Sequence, residues 1–211
     1  MDTRKYSVQD VYQVMRKLGY PVTGKYYELN LIGIRAEESR SDSFDDVFYA
    51  TRNRAHAVES IVTPFTSDPG KHWLLNPLNV KGTAIMVPGF YSRVYKRGLH
   101  KGGYEAFVQS GPIAFVRDNN KNNTLDFDLY RDPQKRRDHL KFEIIGANIH
   151  RTARMKILAN VGPNSAACQV LQVAPVFDQL ITWRDEHITR HGDAFNYALL
   201  EERDIINTLG R

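Results

Sequence analysis

The sequence predicts a mainly β fold with a short helix near the N-terminus and a second helix near the C-terminus. Short runs rich in β-branched and aromatic residues recur along the chain, separated by turns of Gly, Pro and Asn. Apolar residues at helical spacing occur instead in two segments, one near each end. The chain has 211 residues, 42% of them hydrophobic, which suits one domain with a sizeable buried core.

The N-terminal helix is predicted to begin after Ser7, a residue type that caps helices, and to end at Gly19. The residues that share its apolar face are Val8, Val11, Met15 and Leu18. This helix is the distinguishing feature of the N-terminal segment. We therefore assign residues 1–25 to a helical appendage and residues 26–211 to the main domain.

Strands are predicted for the apolar runs that lie between the two helices. These runs are 26–35, 46–50, 83–88, 104–109, 113–118 and 141–150. The polar segment 35–46 is predicted to be a loop. Pro175 suits the first turn of a helix that Gly192 ends, and the run 195–200 is predicted to close the sheet as a last strand.

Charge and hydropathy restrict the partners and the location. The net charge is +5, but the basic residues are scattered, and the densest run, 134–141, is typical of a solvated face, so nucleic acid is not a predicted partner. No stretch approaches the ~20 apolar residues of a membrane span. The first twenty residues lack the apolar core of a secretory signal. We expect synthesis in the cytoplasm, followed by retention, release at lysis or incorporation into a virion.

The single cysteine, Cys168, excludes an internal disulfide and a multi-cysteine metal site. It follows the turn-rich segment 160–167, and His150 ends an apolar run. A histidine at a strand end and a cysteine at a loop-to-strand junction can meet at one rim of a sheet. The imidazole would then favour the thiolate and lower the pKa of Cys168. A buried structural cysteine is the open alternative.

The segment from His150 to Cys168 resembles the catalytic motif of L,D-transpeptidase catalytic domains. In that family a histidine is followed, at a similar spacing, by Ser/Thr-His-Gly-Cys, and here it is followed by Ser165-Ala166-Ala167-Cys168. The segment TPFTSDPGKHWL (63–74) loosely resembles the family's Thr-Pro-x-Gly turn. Strings such as GLHKGGYEAFVQ resemble a divergent branch found in phages and bacterial genomes. The likeness, which spans roughly residues 27–200, implies a β-sandwich-like L,D-transpeptidase fold.

The resemblance implies a role for each residue of the motif. Cys168 is the nucleophile, and His150 takes the thiol proton and returns it to the leaving amine. The backbone carbonyl of Arg151 orients the imidazole, Ser165 braces the loop, and the backbone N–H of Ala167 stabilises the oxyanion. The reaction is acyl transfer or hydrolysis on peptidoglycan stem peptides, and it requires no cofactor.

Three departures from the family motif leave a second function open. Ala166 and Ala167 replace a histidine and a glycine, and Val170 replaces an arginine that would anchor a substrate carboxylate. Alanine resists backbone angles that glycine permits, so the alignment of the oxyanion donors is in question. The alternative is a structural or cargo protein of a phage virion, with eroded catalysis and other phage-particle proteins as partners.

Five residues in turn-like segments and one arginine are further candidates for binding a substrate. Aromatic residues and histidines in Gly-rich turns can wall a substrate groove, or can simply pack there; they are His72, Trp73, Tyr91, His100 and Tyr104. Arg35, at a strand end, is a candidate for binding a carboxylate.

The segment 117–128 has oxygen-bearing side chains at alternating positions, like the start of a calcium loop. The calcium candidates are Asp118, Asn120, Asn122 and Asp126. An EF-hand would have glycine at Asn123 and an acidic residue at Leu129. An Asn-rich hairpin loop is the alternative, because asparagine tolerates left-handed backbone angles.

Overall fold

The computed structural model describes residues 5–210 and consists of eleven strands and six helices. The strands are β1 (Asn30–Arg35), β2 (Asp46–Arg54), β3 (Ala57–Thr66), β4 (Thr83–Met86), β5 (Gly89–His100), β6 (Tyr104–Gln109), β7 (Ile113–Asp118), β8 (Lys141–Glu143), β9 (Ile149–Arg151), β10 (Gln169–Leu171) and β11 (Phe195–Glu201). The helices are α1 (Val8–Lys17), α2 (Lys71–Leu75), α3 (Asp128–Arg131), α4 (Pro133–His139), α5 (Ala174–His191) and α6 (Glu202–Leu209).

Eight of the strands form a closed barrel in the order β1-β11-β5-β6-β9-β10-β3-β2, and a separate sheet has the order β4-β7-β8. Neighbouring strands are antiparallel except for β1 with β11 and β9 with β10. The prediction of a mainly β fold with a short N-terminal helix is confirmed. The closed barrel does not confirm the sandwich arrangement of the strands.

Helix α1 begins where the sequence predicts. The Ser7 side chain accepts a hydrogen bond from the Asp10 N–H at 3.1 Å, and the Asp10 carboxylate accepts from the Ser7 N–H at 3.0 Å, which satisfies free donors of the first turn. Gly19 follows the helix with a φ of 74°. The apolar face of α1 packs on the barrel wall in a second core that also includes residues of β1, β2, β11 and α6. The described part of the segment 1–25 is therefore packed against the main domain.

Helix α5 has Pro175 in its first turn and Gly192 after its last residue, as predicted. Strand β11 then pairs with both β1 and β5 and so completes the barrel. Helix α6 was not predicted, although Glu201 and Asp204 form a capping box at its start. Within residues 5–210, no helix combines the length and the apolar character needed to cross a membrane.

The run 141–150, predicted to be one strand, is two strands in different sheets. Strand β8 pairs with β7, whereas β9 lies in the barrel between β6 and β10. Gly146 lies between them with a φ of 77°, a left-handed conformation that glycine adopts at little cost and that ends the extended run. The break lets the chain pass from the small sheet into the barrel just before His150.

The barrel interior is filled by large aromatic side chains. Phe65, Phe107, Tyr95 and Tyr197 are all fully buried there. Gly33 on β1 makes this packing feasible, because a Cβ atom at that position would lie 2.2 Å from the Tyr197 hydroxyl oxygen. Any side chain on Gly33 would force these aromatic rings apart, at a typical overpacking cost of about 1–3 kcal/mol.

His187 on α5 makes the fold sensitive to acid. Its Nδ1 accepts a hydrogen bond from the Leu29 N–H at 3.0 Å, so the buried ring is neutral. Burial, together with the neighbouring His191, lowers the pKa of His187 to about 4. A histidine in the unfolded chain has a pKa of about 6.5. The unfolded state therefore binds the extra proton between these values, and the free energy of unfolding decreases as the pH falls below about 6.5.

We predict that His187→Asn reduces the acid sensitivity of the fold. Asparagine retains an acceptor near the position of Nδ1 but does not titrate. Between pH 7 and pH 5 the free energy of unfolding, measured with urea, should decrease by roughly 1–2 kcal/mol less in the variant than in the wild type. His139→Asn, an exposed position on α4, is the matched control. An equal decrease in all three proteins would show that His187 is not responsible.

Candidate active site

Two parallel neighbours in the barrel, β9 and β10, bring His150 and Cys168 together. His150 lies opposite Val170, and the Gln169 N–H donates to the Asn148 carbonyl at 2.9 Å. Cys168 precedes β10 directly, so it is level with Asn148 and diagonal to His150 on the same face. The Cys168 Sγ and a ring nitrogen of His150 lie within 4.8 Å of each other. The predicted pair is therefore adjacent at the ends of two strands.

The hydrogen bonds of His150 determine which of its nitrogens carries the proton. Its Nδ1 lies 2.9 Å from the Arg151 carbonyl oxygen, which can only accept, so Nδ1 is the donor. The Tyr104 hydroxyl donates to the same oxygen at 3.0 Å and lies 3.0 Å from Nδ1. In the neutral ring Nε2 is then unprotonated, and it is buried with no hydrogen bond of ordinary geometry among residues 5–210, although the backbone of Asn164 lies close enough to the ring to favour its protonated form. The Arg151 carbonyl thus has the predicted position.

The loop before Cys168 is held at both ends. The buried Ser165 hydroxyl donates to the Cys168 carbonyl at 2.9 Å, and the Ser165 carbonyl accepts from the Gly70 N–H at 2.9 Å. Gly70 is required at this contact, because a Cβ atom there would lie 2.1 Å from the Gly162 carbonyl oxygen. The turn after β3 and the loop before the cysteine are therefore packed backbone to backbone.

The alanines before Cys168 adopt ordinary backbone conformations. Neither Ala166 nor Ala167 is among the residues with positive φ in the described chain. Alanine is consequently accommodated here without the left-handed angles that would require glycine. Within residues 5–210 no acceptor is found for the backbone N–H groups of Ala167 and Cys168. Neither group therefore has an acceptor among these residues that an oxyanion would have to displace.

Burial keeps the pair neutral. It raises the pKa of the Cys168 thiol to about 11. It also lowers the pKa of His150 to about 3, and the adjacent ring of His100 adds to this effect. The expectation of a lowered pKa for Cys168 was wrong, because the thiol is more strongly affected by its loss of water than by any neighbouring charge.

His100 belongs to the same cluster, which the sequence did not indicate. Its ring stacks on that of His150, with centroids 3.8 Å apart and planes inclined by 20°. One donor atom from each of His100, His150 and Cys168 lies within 4.8 Å of the others. Two histidines and a cysteine are ligands that suit Zn²⁺. Because the rings are nearly parallel, binding an ion would require His100 to rotate out of the stack.

A cleft of about 490 Å³ opens onto Cys168 and His100. Its other lining residues include Trp73, Leu78, Lys101, Arg117, Glu143 and Ile144. Of the predicted groove residues, Trp73 and His100 line this cleft. Tyr104 instead bonds to His150, His72 packs edge-on against Trp73, and the buried Tyr91 donates its hydroxyl to the Val87 carbonyl. The cations Lys101 and Arg117 were not predicted.

The calcium candidates form a compact loop whose side-chain oxygens are engaged by the loop itself. Asp118 accepts from the Asp126 N–H at 3.2 Å, and the Asn120 amide donates to Asp126 at 2.6 Å. Asn122 accepts from the Thr124 N–H at 2.8 Å. Burial and the nearby Asp126 raise the pKa of Asp118 to about 6. Calcium would have to compete with these bonds, and its binding stays a prediction.

Comparison with known proteins gives no relative: no family model, no curated protein and no solved structure matches this chain.

We predict that alkylation of Cys168 by iodoacetamide follows the raised pKa of the thiol. The thiolate is the reactive form, so the rate should increase about tenfold per pH unit between pH 7 and pH 10. The rate is measured by intact mass at a series of pH values. A plateau below pH 8 would contradict this prediction and would indicate a thiolate–imidazolium pair.

Proposed function

We propose that the protein catalyses cysteine-dependent acyl transfer or hydrolysis on peptidoglycan stem peptides, with an L,D-transpeptidase-like catalytic site. The observation that carries this proposal is the buried, unprotonated Nε2 of His150, which makes no hydrogen bond of ordinary geometry among residues 5–210, in a ring that has a nitrogen within 4.8 Å of the Cys168 Sγ. A buried polar atom without a partner costs roughly 1–3 kcal/mol, so it calls for an explanation. Acceptance of the thiol proton provides one.

The chemistry follows from the tautomer of His150. As the Cys168 sulfur attacks a peptide carbonyl carbon, its proton moves to Nε2 of His150, and the Arg151 carbonyl stabilises the resulting imidazolium through Nδ1–H. The thiol and the imidazole are both neutral before the attack. After it, the imidazolium carries a positive charge and the former carbonyl oxygen a negative charge, and the two charges stabilise each other. Collapse of the tetrahedral intermediate leaves a thioester and releases the amine with the proton. An amine or water then accepts the acyl group.

The cleft is lined by two cations, Lys101 and Arg117, and one acidic side chain, Glu143, so its net positive charge suits a substrate with a free carboxylate. Val170 cannot serve this purpose, because it is fully buried in β10. Lys101 and Arg117 both line the cleft that opens onto Cys168. Arg117 also donates to the Gly82 carbonyl at 2.9 Å, which holds its guanidinium at the cleft wall. These two cations can take the carboxylate-binding role of the arginine that is absent at position 170.

A structural or cargo role in a phage virion is the second candidate function. The observation that favours it is the burial of the reactive pair, since Cys168 is 9% exposed and His150 is 1% exposed. A buried cysteine with a raised pKa is chemically inert. The two candidates differ in whether Cys168 becomes acylated.

We predict that the wild type forms a covalent adduct at Cys168 with a stem tetrapeptide or with a carbapenem, the class of β-lactam that traps the resembling family. Cys168→Ala should form none, and its melting temperature should change by no more than a few degrees, because the substitution removes one heavy atom, the sulfur. His150→Ala should slow acylation by about 10²–10⁴-fold. Intact mass spectrometry measures all three. A wild type that is alkylated by iodoacetamide but never acylated would favour the virion protein.

We predict that Arg117→Gln raises KM for a stem peptide by about tenfold and leaves kcat within about threefold, because it removes binding that the ground state and the transition state share. Steady-state kinetics with the peptide and with its C-terminal amide test this. The amide, which lacks the carboxylate, should show no difference between variant and wild type. Arg137→Gln on α4, outside the cleft, is the matched control. Equal losses on both peptides would exclude a carboxylate contact.

A further inference from the structure

The tautomer of His100 is fixed by a chain of hydrogen bonds that begins in β6. The Gln109 N–H donates to Oδ1 of Asn148 at 2.9 Å, which identifies the oxygen of that amide. The Asn148 Nδ2 is therefore the atom that lies 3.3 Å from Nδ1 of His100. An amide nitrogen donates, so Nδ1 of His100 accepts and its Nε2 carries the proton.

The Nε2–H of His100 faces the cleft. No hydrogen bond from this atom is found within residues 5–210, and it is not among their buried polar atoms that lack a partner. His100 lines the cleft, whereas His150 does not. Because Nδ1 of His100 accepts a hydrogen bond, only Nε2 carries a proton and the ring is neutral.

The Nε2 atoms of the two stacked rings thus have complementary roles, because one can accept a proton and the other can donate a hydrogen bond. His150 presents an unprotonated Nε2, which is a base, and His100 presents an Nε2–H, which is a hydrogen-bond donor. One ring nitrogen of each histidine lies within 4.8 Å of the Cys168 Sγ. A carbonyl carbon attacked by this sulfur would place its oxygen within the cleft that His100 lines.

We propose that His100 is a catalytic residue that donates its Nε2–H to the oxyanion formed when Cys168 attacks a carbonyl carbon. This role rests on the proposed function. The carbon–sulfur bond forms as the π electrons of the carbonyl move to its oxygen, and His100 stabilises that negative charge while keeping its proton. The donor would act alongside the N–H groups of Ala167 and Cys168. A single donor of this kind contributes about 10²–10³ in rate.

Replacing His100 by asparagine or by glutamine distinguishes donation to the oxyanion from a purely structural role. Asparagine places its amide near Nδ1 of the replaced histidine, and glutamine places an N–H near Nε2. Both lose the ring stack. In acylation of Cys168 by 4-nitrophenyl acetate, followed by nitrophenolate release, His100→Asn should be about 10²–10³-fold slower than wild type, and His100→Gln should recover most of that loss. His139→Gln is the matched control on α4.

Alkylation by iodoacetamide supplies the second measurement, because displacement at a saturated carbon forms no oxyanion. The rates of His100→Asn and His100→Gln should lie within about threefold of each other. If the two variants differ as much in alkylation as in acylation, His100 acts on the thiol and the proposal is overturned. If both variants are acylated as fast as the wild type, His100 does not stabilise the oxyanion, and only the assignment of Cys168 as the nucleophile is retained.

The tautomers are tested without any reaction. ¹⁵N NMR of the imidazole groups at pH 7.5 should show His100 protonated at Nε2 and His150 protonated at Nδ1. A His100 protonated at Nδ1 would overturn the proposal whatever the kinetics. A wild type that is alkylated but is acylated by neither the ester nor a stem peptide overturns the proposed function, and the role of His100 with it.

Discussion

The buried guanidinium of Arg35 determines how the end of the barrel next to the candidate site is built. The side chain is 0% exposed at the end of β1, and it forms an ion pair with Asp68 at 2.9 Å. It also donates to the Ser67 hydroxyl at 3.1 Å and to the Tyr130 hydroxyl at 3.0 Å. A buried cation without these partners would cost several kcal/mol. The turn after β3 and helix α3 are consequently fixed to β1.

The network continues from Arg35 to the residue after the cysteine. Asp46 accepts hydrogen bonds from the N–H and the hydroxyl of Ser67, at 2.8 and 2.7 Å. The Ser67 carbonyl accepts from the Gln169 side-chain amide at 3.5 Å, and the Gln169 oxygen accepts from the Tyr197 hydroxyl at 2.7 Å. Strands β1, β2, β10 and β11 are therefore connected through polar groups inside the barrel. Because Gln169 follows Cys168, the position of the thiol depends on a network that begins at Arg35 on β1.

The elements that the sequence predicts are those with a local signal. The capped helix α1, the Pro-to-Gly helix α5 and the His150–Cys168 pair each depend on a few residues close together in the chain. The pairing that brings His100 onto His150 depends on β6 lying between β5 and β9, which no local pattern reveals. Arg35 was expected to bind a carboxylate, but the sequence could not show that this carboxylate is Asp68 of the same chain.

During synthesis, one edge of strand β1 stays unpaired until β11 has been made. One edge of β1 pairs with β2, which follows soon in the chain, but the other edge pairs with β11, near the C-terminus. At roughly 5–20 residues per second, the ribosome needs on the order of ten seconds or more to make the intervening chain. Throughout that interval the nascent chain carries an unpaired apolar edge, of the kind that promotes aggregation. Molecular chaperones that bind extended apolar segments would therefore matter most for this protein before its last strand is made.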